Sequence, residues 1–462
     1  MRCQFAWNFG AQAVGLILPP LLIIALARIL VPSDFGVFAL LTIIIAAIQA
    51  VSLGPLGQVI VKSERDDIGD FIFSAQMLIG VAMAILLYVI SEPLATLFNE
   101  QELTAPLRVS SLVLLINPFV DTAIRMSMRK IAFRAVFVRR VITPIANATI
   151  SIPLALSGEG YWALVWGQIG GLTFAALVLL GIGGWRPRLN FNIRAFTDDL
   201  TFTGQMVLQG GVRWLRNQSD MAILGTHTTS ETLGQYDMGR KLAGLPFAAL
   251  VEPVAQVMYA VLSDHVRKGK GVRDLFLVAQ RRVLMIALPS GILMVLNAEG
   301  LVTMILGEKW SIVIPVFTIS SVTGMWFSIV GSNVELFKAK GKPKTMTQFM
   351  FVRAAFSVPV FLILAPYGIY PLAIGVLALA CVFSPINVYL TMRLIECPIG
   401  DYFKKVLMRP LLVATFVAIF NLAVLAMPVG QVSGTIINIL TTAGVMVAAI
   451  FYWEPALVKL RR

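Results

Sequence analysis

Fourteen runs of apolar residues, most about twenty long, follow one another along the chain with short polar breaks between them. They lie near 7–26, 35–56, 71–90, 107–124, 141–156, 162–182 and 200–224, then 236–262, 283–305, 312–332, 346–364, 369–392, 406–427 and 436–453. Runs of this length match the hydrocarbon thickness of a bilayer when coiled as α-helices. In lipid the backbone must satisfy its own polar groups, so such segments are helical. The pattern predicts an all-α polytopic membrane protein of about fourteen transmembrane helices. The seventh and eighth runs are the most polar. The first run is too long, and lacks the basic start, for a cleavable signal peptide. It reads as the first membrane helix.

Composition agrees with this pattern. Of the 462 residues, 58% are hydrophobic and 13% charged, and the mean hydropathy is +0.84. A soluble domain is roughly half apolar and a quarter charged. The net charge of +13 does not point to nucleic acid, because no basic helix or aromatic-basic motif stands clear of a span. The distribution of the charge matters more. With the N-terminus in the cytoplasm, 30 of the 37 Lys and Arg fall on that side. Arg28, Arg108, Arg240, Lys241 and Lys309 fall on the other, and Arg213 and Arg216 lie inside a span. This positive-inside bias predicts both termini in the cytoplasm. Loops on the outer side are short, which leaves no room for an external catalytic domain. The basic inner linkers, such as 265–282, read as topology signals beside lipid headgroups.

Three pairs of motifs recur in order. Pro32-Ser33-Asp34-Phe35-Gly36 matches Ser230-Glu231-Thr232-Leu233-Gly234, with the glycines 198 apart. Glu92 through Phe98 matches Glu299 through Ile305 at an offset of 207, and Gly160-Tyr161-Trp162 matches Gly368-Ile369-Tyr370 at 208. Each pair falls in equivalent loops of spans 1–6 and 7–12. This predicts two six-helix lobes, residues 1–190 and 191–396, in the same orientation and related by a parallel repeat. Residues 397–462 hold two accessory spans. Parallel repeats build transporters whose substrate lies between the halves.

Polar residues inside spans are costly and so mark function. In the seventh span Gln205, Gln209, Arg213, Arg216, Asn217 and Asp220 share a helical arc of about 120°. One reading is an Arg216–Asp220 pair neutralised for packing, which leaves Arg213 without a local partner. The other is a water-filled, anion-attracting cavity. The fourth span repeats the theme with Asn117, Asp121 and Arg125. Arg125 either joins that face or snorkels to the cytoplasmic interface. In the eighth span Glu252 is a relay candidate for a proton or cation, or else a protonated core residue. Cys3, Cys381 and Cys397 have no ligand spacing, and His227 and His265 are the only histidines. No metal site, cofactor or ATP-binding motif is expected. The sequons Asn147-Ala148-Thr149 and Asn217-Gln218-Ser219 fall within spans and read as chance matches. Gly167 through Gly171 reads as close helix packing rather than a phosphate loop.

The run Leu26-Ala27-Arg28-Ile29-Leu30-Val31-Pro32-Ser33-Asp34-Phe35-Gly36-Val37-Phe38 resembles the opening signature of bacterial polysaccharide-biosynthesis transporters. These are lipid-linked oligosaccharide flippases, in a superfamily that also contains multidrug and toxin extruders. The resemblance extends through Leu53-Gly54 to Val61, Phe133 to Val165, Asp220 to Tyr236 and on to Leu245-Pro246, and Leu306-Gly307 with Trp310. It covers about residues 20–390. It implies two six-helix lobes around a cavity that opens alternately to each side. It implies export of a polyprenyl-diphosphate-linked oligosaccharide from the inner to the outer leaflet of the bacterial inner membrane. Polysaccharide polymerase and export machinery would be the partners. The family fixes no invariant catalytic residue to carry over, and no enzyme activity is expected. Relatives usually carry more residues ahead of the first span, so the start here is expected to be truncated or misassigned. Two other readings stand beside this one. A cation-coupled drug exporter of the same fold would have a mainly acidic, aromatic cavity. A polysaccharide polymerase or ligase would need a large outer loop with catalytic Arg or His.

Overall fold

The computed structural model describes residues 2–52, 56–62, 67–129, 134–182, 185–191, 200–428 and 430–453. The side chains of Gln205 and Glu252 lie outside this description. Among the described residues there are no strands. The helices of the first half are α1 (Arg2–Ile29), α2 (Pro32–Val51), α3 (Gly57–Lys62), α4 (Ile68–Leu97), α5 (Thr104–Ser110), α6 (Leu112–Arg129), α7 (Arg134–Leu156), α8 (Tyr161–Ile182) and α9 (Leu200–Gly225). They continue with α10 (Ser230–Arg267), α11 (Arg273–Leu296), α12 (Ala298–Leu306), α13 (Val313–Val330), α14 (Asn333–Ala339) and α15 (Pro343–Leu364). The last are α16 (Ile369–Leu394), α17 (Ile399–Tyr402), α18 (Met408–Leu425) and α19 (Gln431–Trp453).

Twelve segments of the described chain are long and apolar enough to cross a bilayer. The protein is a multi-pass membrane protein. The two other predicted spans are also helical, as α1 and α9, but neither meets the same apolar standard over its described residues. In α9 the reason is its row of polar side chains. Predicted limits differ from the helices in several places, among them a break at Asn297 inside the predicted ninth span, 283–305. The fourth span is two pieces, α5 and α6, which meet at Ser111. The eighth, expected at 236–262, is part of a 38-residue helix, Ser230–Arg267. Apolar runs mark the stretch that prefers lipid, whereas backbone hydrogen bonding carries the helix beyond it.

Local sequence sets where α2 begins. Val31 is extended, Pro32 occupies the first turn, and the Asp34 carboxylate accepts a hydrogen bond from the Val31 amide at 3.1 Å. Proline in that position loses no helical hydrogen bond. A first-turn carboxylate also faces the positive end of the helix dipole.

The chain forms two compact units, Met1–Asp237 and Met238–Arg462. In the first, α7 and α8 pack closely over the glycines of α8. A Cβ on Gly171 would stand 2.8 Å from the Thr143 carbonyl oxygen. Small residues permit this approach where lipid supplies no hydrophobic drive between helices. The motifs matched by the repeat also meet here. A Cβ on Gly36 would run into the carbonyl of Ser230, and one on Gly234 into the carbonyl of Pro32. The repeat partners are therefore reciprocal neighbours, and only glycine fits at both positions.

In the second unit α11 packs against α13, α18 and α19. A chain of amides ties them together. Asn438 Nδ2 donates to Asn297 Oδ1 at 2.8 Å, and Asn297 Nδ2 donates to Asn421 Oδ1 at 2.8 Å. Asn421 Nδ2 reaches Thr442 Oγ1 at 3.3 Å. Asn297, Asn421 and Asn438 are all buried. The accessory spans thus attach to the unit by neutral polar bonds as well as by apolar packing.

Candidate functional site

The side of α9 that carries no charge is fixed against α2. Gly210 leaves space for the Ala50 carbonyl, Trp214 Nε1 donates to Ile43 O at 3.2 Å, and Gly225 receives Leu40 and Phe98. These residues recur at helical spacing, so the polar row is turned roughly a quarter-turn away from α2. Gln209, Arg213, Arg216 and Asn217 are exposed within the described structure. Arg216 Nε donates to Asn217 Oδ1 at 3.0 Å. Asp220 differs from the rest of the row. It is 4% exposed and accepts a hydrogen bond from the Tyr236 hydroxyl at 3.2 Å. Tyr236 lies on α10 and is itself buried. The row is therefore a cationic, amide-rich wall with a buried carboxylate at one end. Such a wall can hold an anion by charge-assisted hydrogen bonds.

The polar residues of α6 form a separate group. Arg125 Nε contacts Asp121 Oδ1 at 3.2 Å, and Gln76 Nε2 donates to Asp121 Oδ2 at 3.0 Å. Thr122 donates to Gln76 Oε1 at 3.1 Å. Asp121 also lies against Gly57, where a Cβ would meet its carboxylate. Asn117 is half-buried on the same helix. Asp121 and Arg125 thus neutralise each other. Gln76 and Thr122 complete the network, and Gln76 lies in the third apolar run. A single glutamine in the third span was the available signal for them.

Neither Gln205 nor Glu252 can be placed in a site, because both side chains lie outside the described residues. Among the described residues no group of three or more His, Cys, Asp or Glu is arranged to hold a metal ion.

The described residues thus give many helices able to span a membrane, one helix among them carrying a charged row. Comparison with known proteins narrows the class. Residues 25–315 match the model of a family described as polysaccharide biosynthesis protein, and the chain belongs to that family. It is 23% identical to the succinoglycan biosynthesis transport protein ExoT of Rhizobium meliloti, over 71% of this chain and 67% of that one. It is 20% identical to the lipopolysaccharide biosynthesis protein WzxC of Escherichia coli, over 77% and 73%. Among solved structures, the lipid II flippase MurJ in an inward closed conformation aligns with a TM-score of 0.78. That alignment covers 99% of this chain and 100% of MurJ at 14% identity. An inward-facing multidrug transporter of the MATE family aligns at 0.62, over 85% of this chain and 94% of that one, also at 14% identity. The fold is that of the MurJ and MATE transporters.

Proposed function

We propose that this protein is a flippase that carries a polyprenyl-diphosphate-linked oligosaccharide from the inner to the outer leaflet by alternating access, for cell-surface polysaccharide synthesis. The observation that carries the chemical part of this reading is the exposed pair Arg213 and Arg216 on α9. Two cations one helical turn apart suit a diphosphate, and they pair poorly with a cationic drug. The names of the relatives supply the biological context, since they concern polysaccharide transport or synthesis. The same reading places the chain in the bacterial inner membrane with both termini in the cytoplasm. It divides the protein into lobes 1–190 and 191–396 with accessory spans in 397–462. It also makes a polysaccharide polymerase and the export machinery the neighbouring partners. Asn117, outside the Gln76–Asp121–Arg125 network, is a further amide for the cargo to meet, and Glu252 is the point through which an ion gradient would couple.

Deleting the gene should cause one lipid-linked oligosaccharide to accumulate on the cytoplasmic side, and its extraction identifies the cargo. An unchanged lipid-linked pool, together with increased sensitivity to cationic drugs, would replace this reading with the exporter. Glu252→Gln should alter the pH or sodium dependence of transport; an unaltered profile removes Glu252 from coupling.

A further inference from the structure

Unit 1 also holds a cavity to which α9 contributes no lining residue. Between the end of α7 and the start of α8 is a cavity of about 300 Å³ lined by Val109, Leu154, Glu159, Trp162 and Trp166. This volume is at the small end of ligand pockets. Trp162 and Trp166 are stacked along one face of α8, with ring centroids 6.4 Å apart and planes 24° from parallel. Trp166 is 42% exposed. Glu159 sits between Gly158 and Gly160, whose φ angles of +86° and +53° make the turn. Its side chain is exposed.

Aromatic residues at a membrane surface often do no more than anchor a helix at the headgroups. The repeat separates anchoring from ligand binding. At the offset of 208, the positions equivalent to Glu159, Trp162 and Trp166 are Tyr367, Tyr370 and Ile374. Tyr367 and Tyr370 are exposed aromatics suited to anchoring. The first half alone combines two indoles with a carboxylate. An indole face is electron-rich and apolar, which suits the C–H face of a pyranose. A carboxylate is a strong acceptor for the hydroxyl groups at the edge of that ring. It also repels an anionic sugar.

We infer that the Glu159–Trp162–Trp166 cavity binds a neutral sugar unit of the glycan as it is handed over at the outer side. The choice of a sugar, and of the outer side, rests on the flippase reading. The site is distinct in charge from the wall on α9: one is built for phosphate, the other for hydroxyl groups.

The test uses the full chain in phosphatidylcholine nanodiscs and saturation-transfer NMR. The probes are methyl β-glucoside, methyl β-galactoside and N-acetylglucosamine, with glucuronate as the anionic control. At least one neutral probe should receive saturation and glucuronate should receive less. Trp166→Ala should lower the signal about fivefold, the worth of one aromatic contact. Glu159→Gln should lower the signal of the neutral probe, whereas Trp162→Phe should retain most of it. Glu159→Gln lies in an exposed turn, so it carries the test even where a tryptophan variant fails to fold. A headgroup anchor alone predicts no effect of Glu159→Gln. That result, absence of transfer from every neutral probe, or equal transfer from glucuronate would overturn the inference. Accumulation of the lipid-linked oligosaccharide in the deletion strain tests the flippase reading separately. Binding without accumulation keeps the site and removes that reading, and accumulation without binding does the reverse.

Discussion

Helices α6 and α9 each carry an arginine and an aspartate four residues apart on a polar face, in surroundings that differ. On α6 the aspartate comes first. Asp121 reaches Arg125 at 3.2 Å and is held from its other oxygen by Gln76. On α9 the arginine comes first. Asp220 is buried against Tyr236, while Arg216 is exposed and bonds Asn217. The two helices thus differ in exposure: Asp121 and Arg125 form a partly buried pair, whereas on α9 Arg213 and Arg216 are exposed and Asp220 is buried. Neutral networks suit packing, whereas exposed cations suit an anionic cargo.

The largest expected effect comes from removing the open row. Arg213→Ala with Arg216→Ala should lower glycan export about a hundredfold, equivalent to about 2.7 kcal/mol. The amount of protein in the membrane should stay unchanged. Normal surface polysaccharide in the double mutant would end the distinction between the two helices. Next is the closed pair. Asp121→Ala should cost about 2 kcal/mol in thermal unfolding of the purified protein, between the values for exposed and buried pairs. A double-mutant cycle with Arg125→Ala should show coupling between the two sites. An export defect at full stability would instead make Asp121 part of the cargo path. Asn438→Ala should cost about 1 kcal/mol by the same measurement, since it leaves the Asn297 carbonyl oxygen without a donor. Export by the remaining folded protein should be normal. Tyr236→Phe should have the smallest effect on stability, about 0.6 kcal/mol, the mean for side-chain hydrogen bonds inside membrane proteins. It sharpens the comparison if loss of this bond to the buried Asp220 also lowers export modestly.

Much of the architecture was legible in the apolar runs, because lipid permits little besides helices that satisfy their own backbone. Among the described residues each of the fourteen runs overlaps a helix, including α9, which is too polar to qualify by hydropathy alone. The break at Ser111 and the length of α10 were not legible. Both depend on backbone bonding outside the apolar stretch. The repeat was visible in Gly36 and Gly234, but their meeting was not. Periodicity along the chain carries no information about which helices touch.

The candidate site divides along the same line. The sequence alone determined that a cationic row shares one face of α9, since that follows from 100° per residue. Only the tertiary structure decided which members of that row face inward. Asp220 is buried because Tyr236, sixteen residues away on the next helix, offers it a hydroxyl. Gln209, Arg213, Arg216 and Asn217 remain exposed because Gly210 and Trp214 fix the other side of the helix to α2. Gln76 joined Asp121 for the same reason, as a partner from another helix that is itself held by Thr122 and that charge spacing does not reveal. Helical period is a local property of the chain. Burial and pairing depend on which neighbour arrives, and that is settled by packing.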